Sequence, residues 1–221
     1  QLLLMLILCL FMAPVCRAGT VPTLQLSSTQ NSYDVSPYAE ILEDRDREWT
    51  IDDVTTPPLS REFKPVGTQA LNLGTSSSAF WVRFTVMAKS GEGNRASPRE
   101  WILDINWPSL LFTECYIPKS VRDMGADSGG WIVERDGTTV ASTPGKPLRK
   151  LPFFHLPADL EQPVTCYLRL EATGAIILPL HIYKNDVYFD RSLLKNSLES
   201  INYGVILSMV VFNLFLFFSL R

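Results

Sequence analysis

Trp81, Trp101, Trp107 and Trp131, with Tyr116 and Tyr167, are the side chains of this sequence best able to hold a ligand by stacking. An indole or phenol ring packs against the C–H face of a sugar ring, and an Arg, Asn or Asp beside it can hydrogen-bond the hydroxyls. Arg83 and Arg169 are placed for that role, since each sits mid-strand on the side opposite the apolar residues. Each residue also has a plainer reading. Trp is a large core residue, and a mid-strand Arg is commonly solvated or ion-paired. Trp107 differs because Asn106 and Pro108 put it at a strand end, and loops carry function. The candidate ligand-binding set is therefore Trp107, Arg83, Trp81, Arg169 and Tyr116.

Other chemistries find little support. His155 and His181 are the 2 histidines, far apart and without a second ligand type at metal spacing, so neither a metal nor another cofactor is expected. Asp123 and Asp127 share a loop that has no EF-hand pattern. Carboxylates are plentiful, but no spacing singles out a pair for glycoside hydrolysis. There is also no nucleophile elbow, phosphate-binding glycine loop or metalloprotease signature, so the chain is not expected to be an enzyme. A net charge of −3 leaves no footprint for nucleic acid. Cys115 and Cys166 can form a disulfide in an oxidising compartment or serve as small buried hydrophobes.

Two apolar segments frame these residues. Leu2 to Met12 is a short apolar run leading to Cys16-Arg17-Ala18, the pattern of a secretory signal peptide cut after Ala18. An uncleaved first membrane helix is the alternative. Ile201 to Leu220 carries no Lys, Arg, Asp or Glu. At 1.5 Å per residue, about twenty residues roughly span a ~30 Å hydrocarbon core. Asn202, Asn213, Gly204 and Ser208 suit a helix packed on other helices, or amides near the interface. The expected order is signal peptide 1–18, linker 19–32, exported domain 33–183, connector 184–200 and transmembrane helix 201–221.

Between the two ends, short strand-like stretches alternate with turn signals. They are Tyr33 to Leu42, Ala79 to Met87, Trp101 to Asn106, Phe112 to Ile117, Thr165 to Glu171 and Ala175 to Tyr183. Trp131 to Val140 reads as a hairpin turning at Asp136-Gly137. Thr50 to Asp53 is a capping-box pattern for a short helix that ends at Pro57-Pro58, and Phe189 to Ser200 could be a second short helix. The expected fold class is all-β, an antiparallel jelly-roll sandwich.

The order of landmarks resembles a known family. These are the Trp49-Thr50-Ile51-Asp52-Asp53-Val54 segment, Phe63, Ala79-Phe80-Trp81-Val82-Arg83-Phe84, Trp101-Ile102-Leu103, Cys166-Tyr167-Leu168-Arg169-Leu170 and Leu178-Pro179-Leu180. Tyr203-Gly204 and Phe212-Asn213-Leu214-Phe215-Leu216-Phe217 look like the start of a first membrane helix. Together they resemble bacterial seven-transmembrane receptors with diverse intracellular signalling modules, extracellular domain type 2. The resemblance implies a periplasmic jelly roll similar to carbohydrate-binding modules, anchored in the bacterial inner membrane with residues 19–200 in the periplasm. It further implies a small-molecule ligand such as a carbohydrate, more membrane helices and a cytoplasmic diguanylate cyclase or histidine kinase. The Asp123 to Gly130 loop departs from the family pattern. The alternatives are a membrane-anchored glycan-binding or envelope-interaction module without output, and a tethered hydrolase.

Overall fold

Alternation at a period of two decides how the longest strand sits. Phe80, Val82, Phe84 and Val86 enter the main core, while Trp81 joins a second, smaller core on the other face. The computed structural model describes residues 22–27, 29–67, 71–88, 101–107, 110–119, 130–137, 152–157, 160–172 and 174–220. The first half of the chain forms β1 (Leu24–Leu26), β2 (Ser32–Asp34), β3 (Ala39–Asp44), helix α1 (Ile51–Thr55), β4 (Lys64–Pro65), β5 (Leu71–Thr75) and β6 (Ala79–Ala88). Then come β7 (Trp101–Ile105), β8 (Leu110–Pro118), β9 (Trp131–Asp136), β10 (Phe153–His155) and β11 (Val164–Ala172). β12 (Ala175–Leu178), β13 (Leu180–Lys184) and the long helix α2 (Asn185–Ser219) complete the described chain.

The strands build two stacked sheets and a ribbon. The larger sheet runs β4-β3-β6-β11-β8-β9, with β1 added in parallel to the end of β6. The smaller runs β10-β7-β13-β2, and β5 pairs with β12. The chain passes back and forth between the sheets, so neighbours in sequence often lie in opposite layers: β6, β7 and β8 fall in the larger, smaller and larger sheet in turn. Side chains from both inner faces, among them Val82, Leu168, Leu103, Ile105, Phe154 and Ile182, make one buried core. The antiparallel sandwich expected from the sequence is present.

Several local expectations are corrected. Tyr33 to Leu42 is two strands in different sheets, parted by a 3₁₀ turn at Ser36–Tyr38 that contains Pro37. Ala175 to Tyr183 is divided in the same way at Pro179, between β12 and β13. Proline has no N–H for the ladder, so the chain changes sheets where a proline interrupts an apolar run. Leu24 and Leu26, assigned above to a polar linker, are buried in the core on β1. β9 pairs backward with β8, Pro118 opposite Trp131 and Thr113 opposite Asp136. Residues 138–140 of the expected hairpin, residues 1–18 of the expected signal peptide, and Asp123 and Asp127 lie outside the described residues.

The connector and the apolar segment are one helix. β13 ends at Lys184 and α2 begins at Asn185, with no loop between them. The helix is long and apolar enough to cross a membrane. At its base Tyr188 lies 5.6 Å from Phe153, 6.1 Å from Tyr183 and 5.6 Å from Phe189, ring centre to ring centre. Arg191 donates to the Tyr183 hydroxyl at 3.3 Å and lies over that ring. Tyr188→Ala should cost about 2–4 kcal/mol locally. Hydrogen exchange should speed up at residues 184–192 and stay unchanged in β6 and β11; unchanged protection at the helix base would show that the ring does not hold it.

Candidate functional site

The outer face of the larger sheet carries the polar side chains that the alternation sends away from the core. Register arranges them in rows. Leu42, Trp81, Arg169, Glu114 and Arg135 lie side by side across β3, β6, β11, β8 and β9. Glu40, Arg83, Tyr167, Tyr116 and Val133 form the next row. Four of the five expected site residues (Trp81, Arg83, Tyr116 and Arg169) are thus brought onto one face.

That face is partly covered by the chain itself. The segment from Trp49 to Phe63 lays Val54 and Phe63 against Leu42, Trp81, Tyr116 and Tyr167. Its helix α1 forms because Thr50 and Asp53 cap it reciprocally, as their spacing predicts. Asp44, fully buried, anchors the approach by accepting the amides of Glu48 at 3.3 Å and Trp49 at 3.1 Å. Between them Arg47 holds a left-handed φ of 61°, uncommon outside glycine, and its carbonyl accepts from Arg169 at 3.1 Å.

Most of the charges on this face are matched. Arg83 donates to Glu40 and to the Ser60 carbonyl, and its guanidinium lies 4.2 Å from the centre of the Phe63 ring. Glu114 is buried and accepts from the Tyr116 hydroxyl and from Arg135 Nε, both at 2.7 Å. Burial, and then the bond to Glu114, push the Tyr116 hydroxyl far above its ordinary range, so it stays protonated as a donor. Its own hydrogen bond to Glu114 raises Arg135 in turn. Arg169 pairs with Glu171 at 2.7 Å.

Two donors are left over. Trp81 Nε1 and Arg169 Nε are buried with no hydrogen-bond partner among the described residues. They belong to residues directly opposite one another on β6 and β11. A buried N–H without an acceptor costs about 1–3 kcal/mol, and on this face the cost falls on two residues of one row.

Trp81 itself is 0% exposed, and Tyr116 and Tyr167 are also buried, with Trp81 and Tyr116 ring centres 5.6 Å apart. They form the floor of a packed cluster and no open stacking platform. Trp131, half-buried, meets Tyr167 edge to face at 5.6 Å. Trp107 lies elsewhere, at the end of β7 in the smaller sheet, half-buried against the main core. Trp101 is a core residue in contact with Tyr33.

Cys115 and Cys166 are not bridged. They lie on adjacent strands, but Cys115 stands opposite Leu168, two residues along from Cys166. Both point into the core, where burial pushes the Cys166 thiol up to about 12 and keeps it inert. His155 and His181 lie on β10 and β13 of the smaller sheet, and among the described residues no three His, Cys, Asp or Glu side chains could hold a metal ion.

Glu114, Arg135, Glu171 and Arg47 escape a reading of the sequence alone. Alternation puts Glu114 on the face of Tyr116, but pairing it with Arg135 requires the register of β8 against β9.

A two-sheet sandwich whose last strand runs into a helix long and apolar enough to cross a membrane is the architecture of a membrane-tethered domain. The chain belongs to the 7TMR-DISM extracellular 2 family, the extracellular domain of a seven-transmembrane receptor, whose model matches residues 36–184, more than half of the 221. No curated protein matches the chain.

Arg83→Ala should cost about 2–4 kcal/mol in chemical denaturation, because it strands the Glu40 carboxylate and the Ser60 carbonyl. Arg135→Ala also strands a carboxylate, the buried Glu114, but that group keeps the Tyr116 hydroxyl as a donor, so the loss should be smaller, about 1–2 kcal/mol. Equal losses would mean that the two ion pairs carry the same load. The bonds from the Thr50 side chain and amide hold the Asp53 carboxyl below its ordinary 3.8. That stabilisation is present above pH 3.8 and is lost as pH falls through the lower folded value. The α1 amide resonances should therefore shift on acidification in the wild type and stay flat in Asp53→Asn.

Proposed function

We propose that this domain is the ligand-sensing part of a bacterial membrane receptor, facing the periplasm from the inner membrane. Its ligand is a small, uncharged, hydroxyl-bearing molecule such as a carbohydrate. The role is binding and not catalysis. The supporting observation is the pair of unpartnered donors, Trp81 Nε1 and Arg169 Nε, on the face partly covered by the Trp49–Phe63 segment.

The charge pattern favours a neutral ligand. Arg83 is matched by Glu40, Arg135 by Glu114 and Arg169 by Glu171, so no net charge waits for an ion. Hydroxyl or ring oxygens can accept from these donors while each arginine keeps its carboxylate. Entry requires the Arg45–Trp49 approach to shift, and the left-handed Arg47, whose carbonyl already holds Arg169, is the natural point of release. A ligand that binds the shifted state more tightly than the closed one would bias the receptor, and a cytoplasmic cyclase or kinase would read the bias.

The test is thermal unfolding of the chain in detergent against a panel of mono- and oligosaccharides and neutral polyols. At about 100 times Kd a ligand adds about 2.7 kcal/mol, which raises Tm by several degrees. Arg169→Lys, which keeps a cation beside Glu171 but loses the Nε–H, should weaken binding at least tenfold. No shift with any member of the panel, or equal affinity in Arg169→Lys, would overturn the reading.

A further inference from the structure

α2 is covered near its start and bare beyond. Tyr188 is buried against the domain, Asn185, Phe189 and Ser192 on the same side are partly covered, and so is Val187 on the opposite side. From Leu193 to Leu220 every residue is exposed in the single chain. Leu194, Leu198, Ile201 and Val205 follow one another at steps of four, three and four, and the first three are 63%, 60% and 64% exposed. Over these 12 residues the spacing fills the d and a positions of a two-stranded coiled coil. At about 100° per residue the seam is centred roughly 160° round the helix from the face on the domain, so a second helix can approach without meeting the sandwich.

Leu194 and Leu198 precede the uncharged run and share their stretch with Asp190, Arg191, Lys195 and Glu199, so lipid tails do not explain them. The flanking charges choose the partner. With Leu194 at d and Leu198 at a, Asp190 falls at g and Lys195 at e. In a parallel pair a g residue meets the e residue five positions on, so Asp190 meets Lys195 of the partner subunit, and the twofold axis repeats the contact. Two copies inserted in one membrane with the same topology are parallel. An antiparallel pair sets g against g and e against e, so it offers Asp190 at g no Lys195 at e. Farther along, Gly204 and Ser208 adjoin the seam, and a Cβ on Gly204 would meet nothing within 4 Å, so two helices can stay in close approach inside the bilayer.

We propose that α2 is the interface between two copies of this chain, a parallel pair zipped from Leu194 through Val205 with the two sandwiches facing outward. This inference rests on the helix alone and holds whichever ligand the sandwich binds.

Single-cysteine variants of the chain in native membranes test it by mild oxidation. Leu194→Cys, Leu198→Cys and Ile201→Cys should give at least five times more disulfide-linked dimer than Asn196→Cys and Glu199→Cys, which lie off the seam. In the Leu194→Cys background, Asp190→Lys should cut cross-linking several-fold, and adding Lys195→Asp should restore it. Equal cross-linking at all five positions, none at the seam, or no response to the charge variants would overturn the proposal.

Discussion

Lys184 is at once the last residue of a central strand and the cap of a helix 35 residues long. β13 is hydrogen-bonded on both sides, to β7 and to β2, and the Lys184 amide donates to Asn31. With both edges paired, β13 cannot slide or turn without breaking two ladders. The helix that grows from it inherits that rigidity, and the ring contacts of Tyr188 with Phe153 and Tyr183 fix its exit direction. A loop at this point would decouple the sandwich from the membrane. Its absence makes the domain and the apolar helix parts of one body, and the sensing reading depends on that continuity.

The other half of the structure follows from what the larger sheet does with its second face. A sandwich sheet usually leaves that face to water. Here Trp49 to Phe63 covers part of it with a small core of its own, and the polar residues beneath satisfy one another in ion pairs across neighbouring strands. The bookkeeping of donors and acceptors closes for the three arginine–carboxylate pairs but leaves the indole of Trp81 and Nε of Arg169 open. Buried donors are rarely left so, and the proposed ligand site rests on this pair and not on the number of aromatic rings nearby.

Much of this was legible in the sequence, and the failures have physical causes. The alternation in Ala79 to Met87 placed Trp81 and Arg83 together, and the Thr50–Asp53 spacing located α1, because both are local signals. At Pro37 and Pro179 a single proline inside an apolar run is a weaker signal than the run itself, yet it is where the chain changes sheet. The start of α2 was hidden because Lys184 offers no side-chain cap, while Val187, Tyr188 and Phe189 look equally at home in a strand. Register is a long-range property, so the Glu114–Arg135 pair and the offset that keeps Cys115 from Cys166 could not be read from spacing. The rings of Trp81 and Tyr116 turned out to be floor and not platform, because the covering segment is recognisable only once folded.

The continuity of sandwich and helix is open to direct measurement. Nitroxide labels at Gln162, exposed on the sandwich, and Ser197, exposed on α2 ahead of the uncharged run, would report their separation by pulsed dipolar spectroscopy in nanodiscs loaded with one chain each. A single narrow distance distribution is the result expected of a strand that runs straight into a helix. A broad distribution, or two resolved populations without added ligand, would mean that the joint at Lys184–Asn185 is a hinge, and would contradict the account at its base.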